Sequence, residues 1–406
     1  MRQFKNLSDP MTLNDHKPNF RRAIELVTEL MALPGKSGQE GRVANYVTEK
    51  LQAAGVPRAM IRRDAANRRT PVRGDTGNLV FVLPGNIQGP RRLLMAHMDT
   101  VPICVGSSPV RRSGFIVSSN SQRALGADDR AGCAVVLNSA LEILERGLPH
   151  PPVTFCWTIQ EEIGLHGARH LNHAILRKPK RAFNWDGGSW EKLTVGATGG
   201  YRMAIKIRGI ASHAGGAPER GVSAIAIASL AITELVRGGW HGQICKGSKR
   251  GTSNVGSFHG GETTNVVSDD VELKAEARSH DPQFRKRILK EIEKAFVRAA
   301  GQIKNNSGQS GSVDFDGRLD YEAFLLQKDD PSVLAAEQAV VETGGQPVRA
   351  VANGGLDANW MVARGIPTVS LGCGQINQHM TGEALDIENF KNACRIGLFL
   401  ATQAKL

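Results

Sequence analysis

Apolar residues at helical spacing open the chain: Phe20, Ala23, Ile24, Val27, Leu30 and Met31 share one face and stop at Pro34-Gly35. Val43, Tyr46, Val47 and Leu51 repeat the pattern up to Gly55-Val56-Pro57, so two helices are expected first. Strand-like runs follow at Asn78 to Leu83 and Arg92 to Ala96, with Pro84-Gly85 between them, and a helix is expected over about 130–146. Val153 to Ile159 is apolar almost throughout, broken only by Thr154 and Thr158, and reads as a buried strand covered on both faces. A helix around Ala168 to Leu176 and a short strand at Ala182 to Trp185 continue the alternation. Strands alternating with helices predict a largely parallel, helix-covered sheet.

The pattern changes after Gly196. Tyr201 to Gly209 alternates as a half-exposed strand, Val222 to Val236 reads as a helix, Asn265 to Ser279 as a long alternating strand, and Gln283 to Ala300 as an amphipathic helix. That composition fits a small α+β domain with an antiparallel sheet and two helices. A linker-like stretch from Gly301 to Gly311 precedes a last strand near Ser312 to Leu319. Helix Pro331 to Glu342, strand Ile366 to Leu371 and helix Ile387 to Ala401 then restore the α/β rhythm. The expected organisation is a larger domain of the α/β class with three α/β/α layers, formed by residues 1–196 and 312–406. A smaller domain, residues 197–311, is inserted into it.

At 406 residues the chain exceeds what one core usually supports, which agrees with two domains. No segment approaches the roughly 20 apolar residues that cross a bilayer, and the N-terminal stretch is polar without a signal core, so a cytoplasmic protein with no membrane partner is expected. The six cysteines are scattered without CxxC spacing and read as small hydrophobes rather than disulfides. A net charge of +12 raises the question of nucleic acid. The excess arrives as separate arginine pairs (Arg62-Arg63, Arg68-Arg69, Arg91-Arg92, Arg111-Arg112) without interleaved aromatics, which favours a solvated surface and no nucleic-acid partner.

Candidate chemistry gathers at strand ends. The run Leu94 to Pro102 carries an apolar strand into His97 and Asp99, two residues apart and therefore on one face of an extended backbone. Glu161 and Glu162 follow the next strand, Asp186 a third, and His379 the strand ending at Leu371-Gly372, while Gly126-Ala127-Asp128-Asp129 places acids where a helix begins. In open α/β sheets ligands bind just outside the carboxyl ends of the strands. Two histidines among several carboxylates suit zinc or a similar divalent ion, because that many anions would repel one another without one. Two ions about 3.5–4 Å apart, bridged by a carboxylate, use the set more fully than one.

His97-Met98-Asp99, Gly126-Ala127-Asp128-Asp129, Gln160-Glu161-Glu162, Trp185-Asp186-Gly187-Gly188, Ser212-His213-Ala214-Gly215 and Asn377-Gln378-His379 together resemble the dinuclear zinc exopeptidases and deacylases. That family includes peptidase T, carboxypeptidase G and the aminoacylases. Thr198-Gly199-Gly200, Glu276 to His280 and Gly354 to Ala358 look most like its peptidase T branch. The resemblance implies that Asp128 bridges two divalent ions, zinc foremost with cobalt or manganese as alternatives. His97 and Asp186 would hold one ion, Glu162 and His379 the other. It further implies Glu161 as general base, Asp99 orienting His97, a cis Asp128-Asp129 peptide bond, His213 as oxyanion donor and Arg278 as a clamp for a substrate carboxylate.

For Arg278 a surface salt bridge is nearly as good a reading, and Asn265 could touch substrate or cap a turn. Asp357 could orient the loop below it. His166, His170 and His173 have helical spacing without the glutamate of HExxH and read as solvated helix residues. The implied activity is removal of the N-terminal residue from short peptides. The alternatives are an N-acyl amino acid deacylase or carboxypeptidase of the same family and, more remotely, a non-catalytic basic scaffold. A homodimer through the inserted domain is a further partner the sequence allows.

Overall fold

A computed structural model describes residues 17–403, so most of the polar N-terminal stretch lies outside the described residues. The described residues form two compact units, one of residues 17–196, 325–352 and 356–403, the other of residues 197–324 and 353–355.

In the larger unit the sheet order is Ile61–Arg63, Leu79–Leu83, Val153–Thr158, Arg92–His97, Arg181–Trp185, Thr368–Leu371, Lys192–Ala197. The four strands from Val153–Thr158 to Thr368–Leu371 run parallel, and antiparallel strands flank them. The apolar continuity has a direct cause. Leu94, Ala96, Phe155 and Trp157 join a core on one face with helices Phe20–Ala32, Ala127–Arg146 and Ile387–Thr402, while Leu93, Met95 and Cys156 join a core on the other with Ala168, Leu171 and Met361. Successive strand residues point to opposite faces, so a strand covered on both is apolar over most of its length rather than at alternate positions.

A small antiparallel sheet links Pro109–Arg112, Phe115–Ser118, Ala384–Asp386 and Gln375–Ile376. Its short strands escaped sequence reasoning because two to four residues carry no readable period. The expected helix over Ala168–Leu176 is instead a five-residue helix, His166–His170, followed by a 3₁₀ turn at His173–Leu176. Leu171 breaks between them with extended angles, and Asn172 caps the second piece by accepting from the Ala174 amide.

The smaller unit is an antiparallel sheet in the order Gly242–Lys246, Lys249–Gly260, Asp270–Ser279, Gly199–Arg208, Ser312–Tyr321. Helices Ala224–Arg237 and Pro282–Gln302 cover one face, packing Ile227, Leu235, Ile288 and Phe296 on Ile205, Ile207 and Leu273. The strand expected from Asn265 begins only at Asp270. The hairpin over 242–260 was not foreseen, since its exposed, glycine- and lysine-bearing strands lack a clear alternation. The unit also runs past the expected boundary at 311, because Ser312–Tyr321 pairs with Gly199–Arg208 along its length.

None of the six cysteines is paired. Among the described residues no helix is long and apolar enough to cross a membrane.

Candidate metal centre

His97 ends its strand, and the chain then turns so that Asp99 faces back toward the same imidazole. Nδ1 of His97 lies 3.1 Å from the Asp99 carbonyl oxygen and 3.5 Å from its carboxylate, which leaves Nε2 pointing at Asp128, 3.1 Å away. Carboxylate on one ring nitrogen and ligand position on the other is how a ligating histidine is fixed in its tautomer.

Asp128 is delivered by an irregular helix start. Gly126 adopts φ 80°, a left-handed conformation that costs glycine least, and Asp128 and Asp129 are non-helical, joined by a cis peptide bond. The other Asp128 oxygen lies 3.4 Å from Nε2 of His379, so one carboxylate stands between two imidazoles. His379 also sits 2.9 Å from Glu162. Gln160 and His379 hold φ of 51° and 64°, left-handed values for non-glycine residues that recur where a site over-determines the backbone. Among the described residues, His97, Asp128 and Glu162 are the set whose ligand atoms lie within 4.8 Å of one another.

Burial opposes ionisation of Asp128, yet hydrogen bonds from His379 and His97 outweigh it and hold the carboxyl well below its usual range. Burial likewise opposes charging of His97, and its bonds to Asp128 and Asp99 outweigh it in the other direction. Glu161 and Asp186 are in the opposite state. Burial, reinforced by Asp186, Asp357 and Glu162, raises Glu161 well above the carboxylate range, and Asp186 is pushed up to about 7 by burial and Asp128. Acids that raise one another's pKa around two imidazoles define a seat for positive charge, so the donor set fits divalent cations.

Three further carboxylates support the ligands without facing the seat. Asp99 accepts from the Glu161 amide at 2.9 Å, the Glu162 amide at 3.2 Å and Ser37 Oγ at 2.6 Å. Asp129, fully buried, accepts from the His97 amide at 3.1 Å and from Gln375 Nε2 at 2.9 Å. Glu383 accepts from the amides of Gly126 at 2.7 Å and Asp128 at 3.0 Å. Gln375 and Glu383 were missed in the sequence. Each serves a backbone or side-chain group brought near only by folding, and no spacing signal marks them.

Asp357 is buried at the start of helix Asp357–Ala363, takes a hydrogen bond from Thr158 Oγ1, and is pushed up to about 6 by burial. His166 is not solvated. It is buried and stacks on His170, with ring centroids 6.4 Å apart, while His173 is half-buried against Arg364.

In the smaller unit, His213 Nδ1 accepts from the amides of Gly215 at 3.1 Å and Gly216 at 2.8 Å. This places the proton of a neutral ring on Nε2, as a donor. Asn265 lies beside it, its carbonyl accepting from Ala214 at 2.9 Å and its side chain from Thr263 at 2.8 Å. Arg278 makes a two-point pair with Glu276, both contacts 3.0 Å, as the salt-bridge reading anticipates.

Residues 93–403 match the peptidase family M20/M25/M40. The chain belongs to this family. It is a metal-dependent peptidase, resembling the peptidase T-like branch. A tripeptidase from Staphylococcus aureus subsp. aureus Mu50 is 30% identical with a TM-score of 0.85, covering 95% of this chain and 98% of that one. Aminopeptidase PepT from Bacillus cereus ATCC 10987 is 31% identical with a TM-score of 0.83, covering 96% and 100%. Carboxypeptidase G2 from Pseudomonas sp. strain RS-16 is 26% identical over 382 residues, 90% of this chain and 84% of that protein.

Proposed function

We propose that this M20/M25/M40 peptidase is an aminopeptidase of short peptides, acting through two divalent ions, zinc foremost, with Glu161 as general base. The observation that carries the two-ion reading is the Asp128 carboxylate between His97 at 3.1 Å and His379 at 3.4 Å. Asp128 would be shared, His97 and Asp186 completing one position and Glu162 and His379 the other. Bound there, the ions would supply Lewis acidity to the scissile carbonyl and lower the pKa of water.

Glu161 supplies the proton traffic. Its amide is held by Asp99 at 2.9 Å, and its buried carboxyl group lies in the field of His97, Asp186 and Glu162. A carboxyl raised above its usual range accepts a proton from the attacking water more readily and can return it to the departing amine nitrogen. His213 offers an Nε2–H of preset tautomer for the developing oxyanion, and Arg278, its Nε and one Nη held by Glu276, offers its remaining N–H groups to a substrate carboxylate. Asn265, beside His213, completes the substrate-binding set.

The tripeptidase and PepT relatives, alike over nearly the whole chain, support peptides with a free N-terminus. The carboxypeptidase G2 relative supports amides of C-terminal amino acids. A panel of free tripeptides, their N-acetyl forms and N-acyl amino acids separates these by kcat/KM. Preferred cleavage of the N-terminal residue from free tripeptides is expected. Preference for N-acyl amino acids would replace the aminopeptidase reading with the deacylase or carboxypeptidase one, and no hydrolysis by zinc-loaded protein would sink both.

A further inference from the structure

The proposed ligands arrive from segments far apart in sequence, Asp128 at an irregular helix start and His379 on a turn some 250 residues later. Their mutual distance, 3.4 Å, must be set by something other than chain connectivity. The Gly126 and Asp128 amides lie at a helix N-terminus, where backbone N–H groups have no partner within the helix. Both are satisfied by one carboxylate, Glu383, 2% exposed, with Oε2 on Gly126 at 2.7 Å and Oε1 on Asp128 at 3.0 Å. Cys104 Sγ adds a third, longer contact at 3.8 Å.

Glu383 is itself tied to the His379 turn. Its amide donates to the Met380 carbonyl at 2.9 Å, and Asn377 Nδ2 closes the same turn on the Gly382 carbonyl at 3.3 Å. Any shift of Asp128 relative to His379 therefore strains the Glu383 clamp. Asp129 performs the matching task on the other side, joining the same loop to the His97 amide.

We propose that Glu383 is a positioning residue that locks the Asp128 loop to the His379 turn, so that the shared carboxylate and its far-side partner are held in register before any cation arrives. The proposal rests on the two-ion reading above. Glu383 does not touch substrate or the ions. It acts through the backbone of Asp128, and a partner of this kind is worth about ten- to a hundred-fold in metal affinity.

Zinc is removed from wild type, Glu383→Gln and Glu383→Asp, and rebinding is measured in competition with a chromophoric chelator. Glu383→Gln is expected to weaken zinc binding by about ten- to a hundred-fold, with kcat recovering as free zinc is raised by the same factor. Glu383→Asp, long enough for one amide, should fall between. Unchanged zinc affinity in a Glu383→Gln protein with wild-type circular dichroism would overturn the proposal, even if its melting temperature fell. Hydrogen exchange on metal-free wild type decides the matter should the variants not fold or the wild type bind no zinc. The Gly126 and Asp128 amides are expected to be as protected as the 377–383 turn, and rapid exchange at those two amides alone would refute the clamp. Absence of zinc binding by wild type would count against the two-ion function and leave this measurement intact.

Discussion

The Asp99 carboxylate holds the Glu161 backbone amide at 2.9 Å while lying 3.5 Å from Nδ1 of His97. One buried acid thereby couples the orientation of a proposed metal ligand to the placement of the proposed base. The same carboxylate takes the Glu162 amide, so the turn after strand Val153–Thr158 is registered against the end of strand Arg92–His97.

Glu161→Gln should keep fold and metals but lose turnover by about a hundred- to ten-thousand-fold, since the amide preserves shape and cannot accept a proton. Steady-state kinetics with metal analysis on the same sample checks this. A variant with half the wild-type kcat would remove Glu161 from the role.

Asp128→Ala should release metal, because the one carboxylate facing both His97 and His379 is gone. Elemental analysis should show fewer than two ions per chain. Chelation should lower the wild-type melting temperature and hardly move the variant's, as ligand bound only to the native state stabilises it by about 2.7 kcal/mol at a hundred times Kd. Two ions retained by Asp128→Ala would contradict the bridge.

Gly132→Ala tests the packing beneath the ligands. A Cβ there would lie 2.4 Å from Asp129 Oδ1 and 2.5 Å from the Trp185 carbonyl, and the second is backbone that cannot step aside. A loss of about 1–3 kcal/mol in urea denaturation is expected. Wild-type stability would show that the helix shifts freely.

His173 provides a pH prediction away from the centre. Burial, with the Arg364 guanidinium against it, lowers its pKa to about 4. The folded state thus disfavours the proton that the unfolded chain accepts near 6.5. The contribution is present above about pH 6.5 and is lost as pH falls toward 4. The melting temperature of wild type minus that of His173→Gln should therefore shrink between pH 7 and 4.5. A difference that is flat or grows on acidification would refute the assignment.

Much of this was legible in the sequence, and particular residues show why. Leu93 to Ala96 and Val153 to Trp157 announce buried parallel strands because covering both faces forbids alternation, and His97, Glu161, Glu162 and Asp186 follow such strands directly, so local order places them. His379 was recognisable by its motif. The split helix at His166–His170 and the burial of His166 were not, since a five-residue helix has too few turns to display a period and its exposure depends on what packs over it.

The sequence by itself determined the α/β alternation, the inserted antiparallel segment and the kinds of group available for chemistry, because side-chain period and residue type are local properties. Tertiary structure decided which groups meet. It set Asp128 between two imidazoles, assigned Asp99, Asp129 and Glu383 to backbone amides rather than to the seat, and paired Arg278 with Glu276. It also carried the smaller unit through Ser312–Tyr321, because a strand belongs to the sheet whose hydrogen bonds it completes, and that partner lies a hundred residues away in the chain.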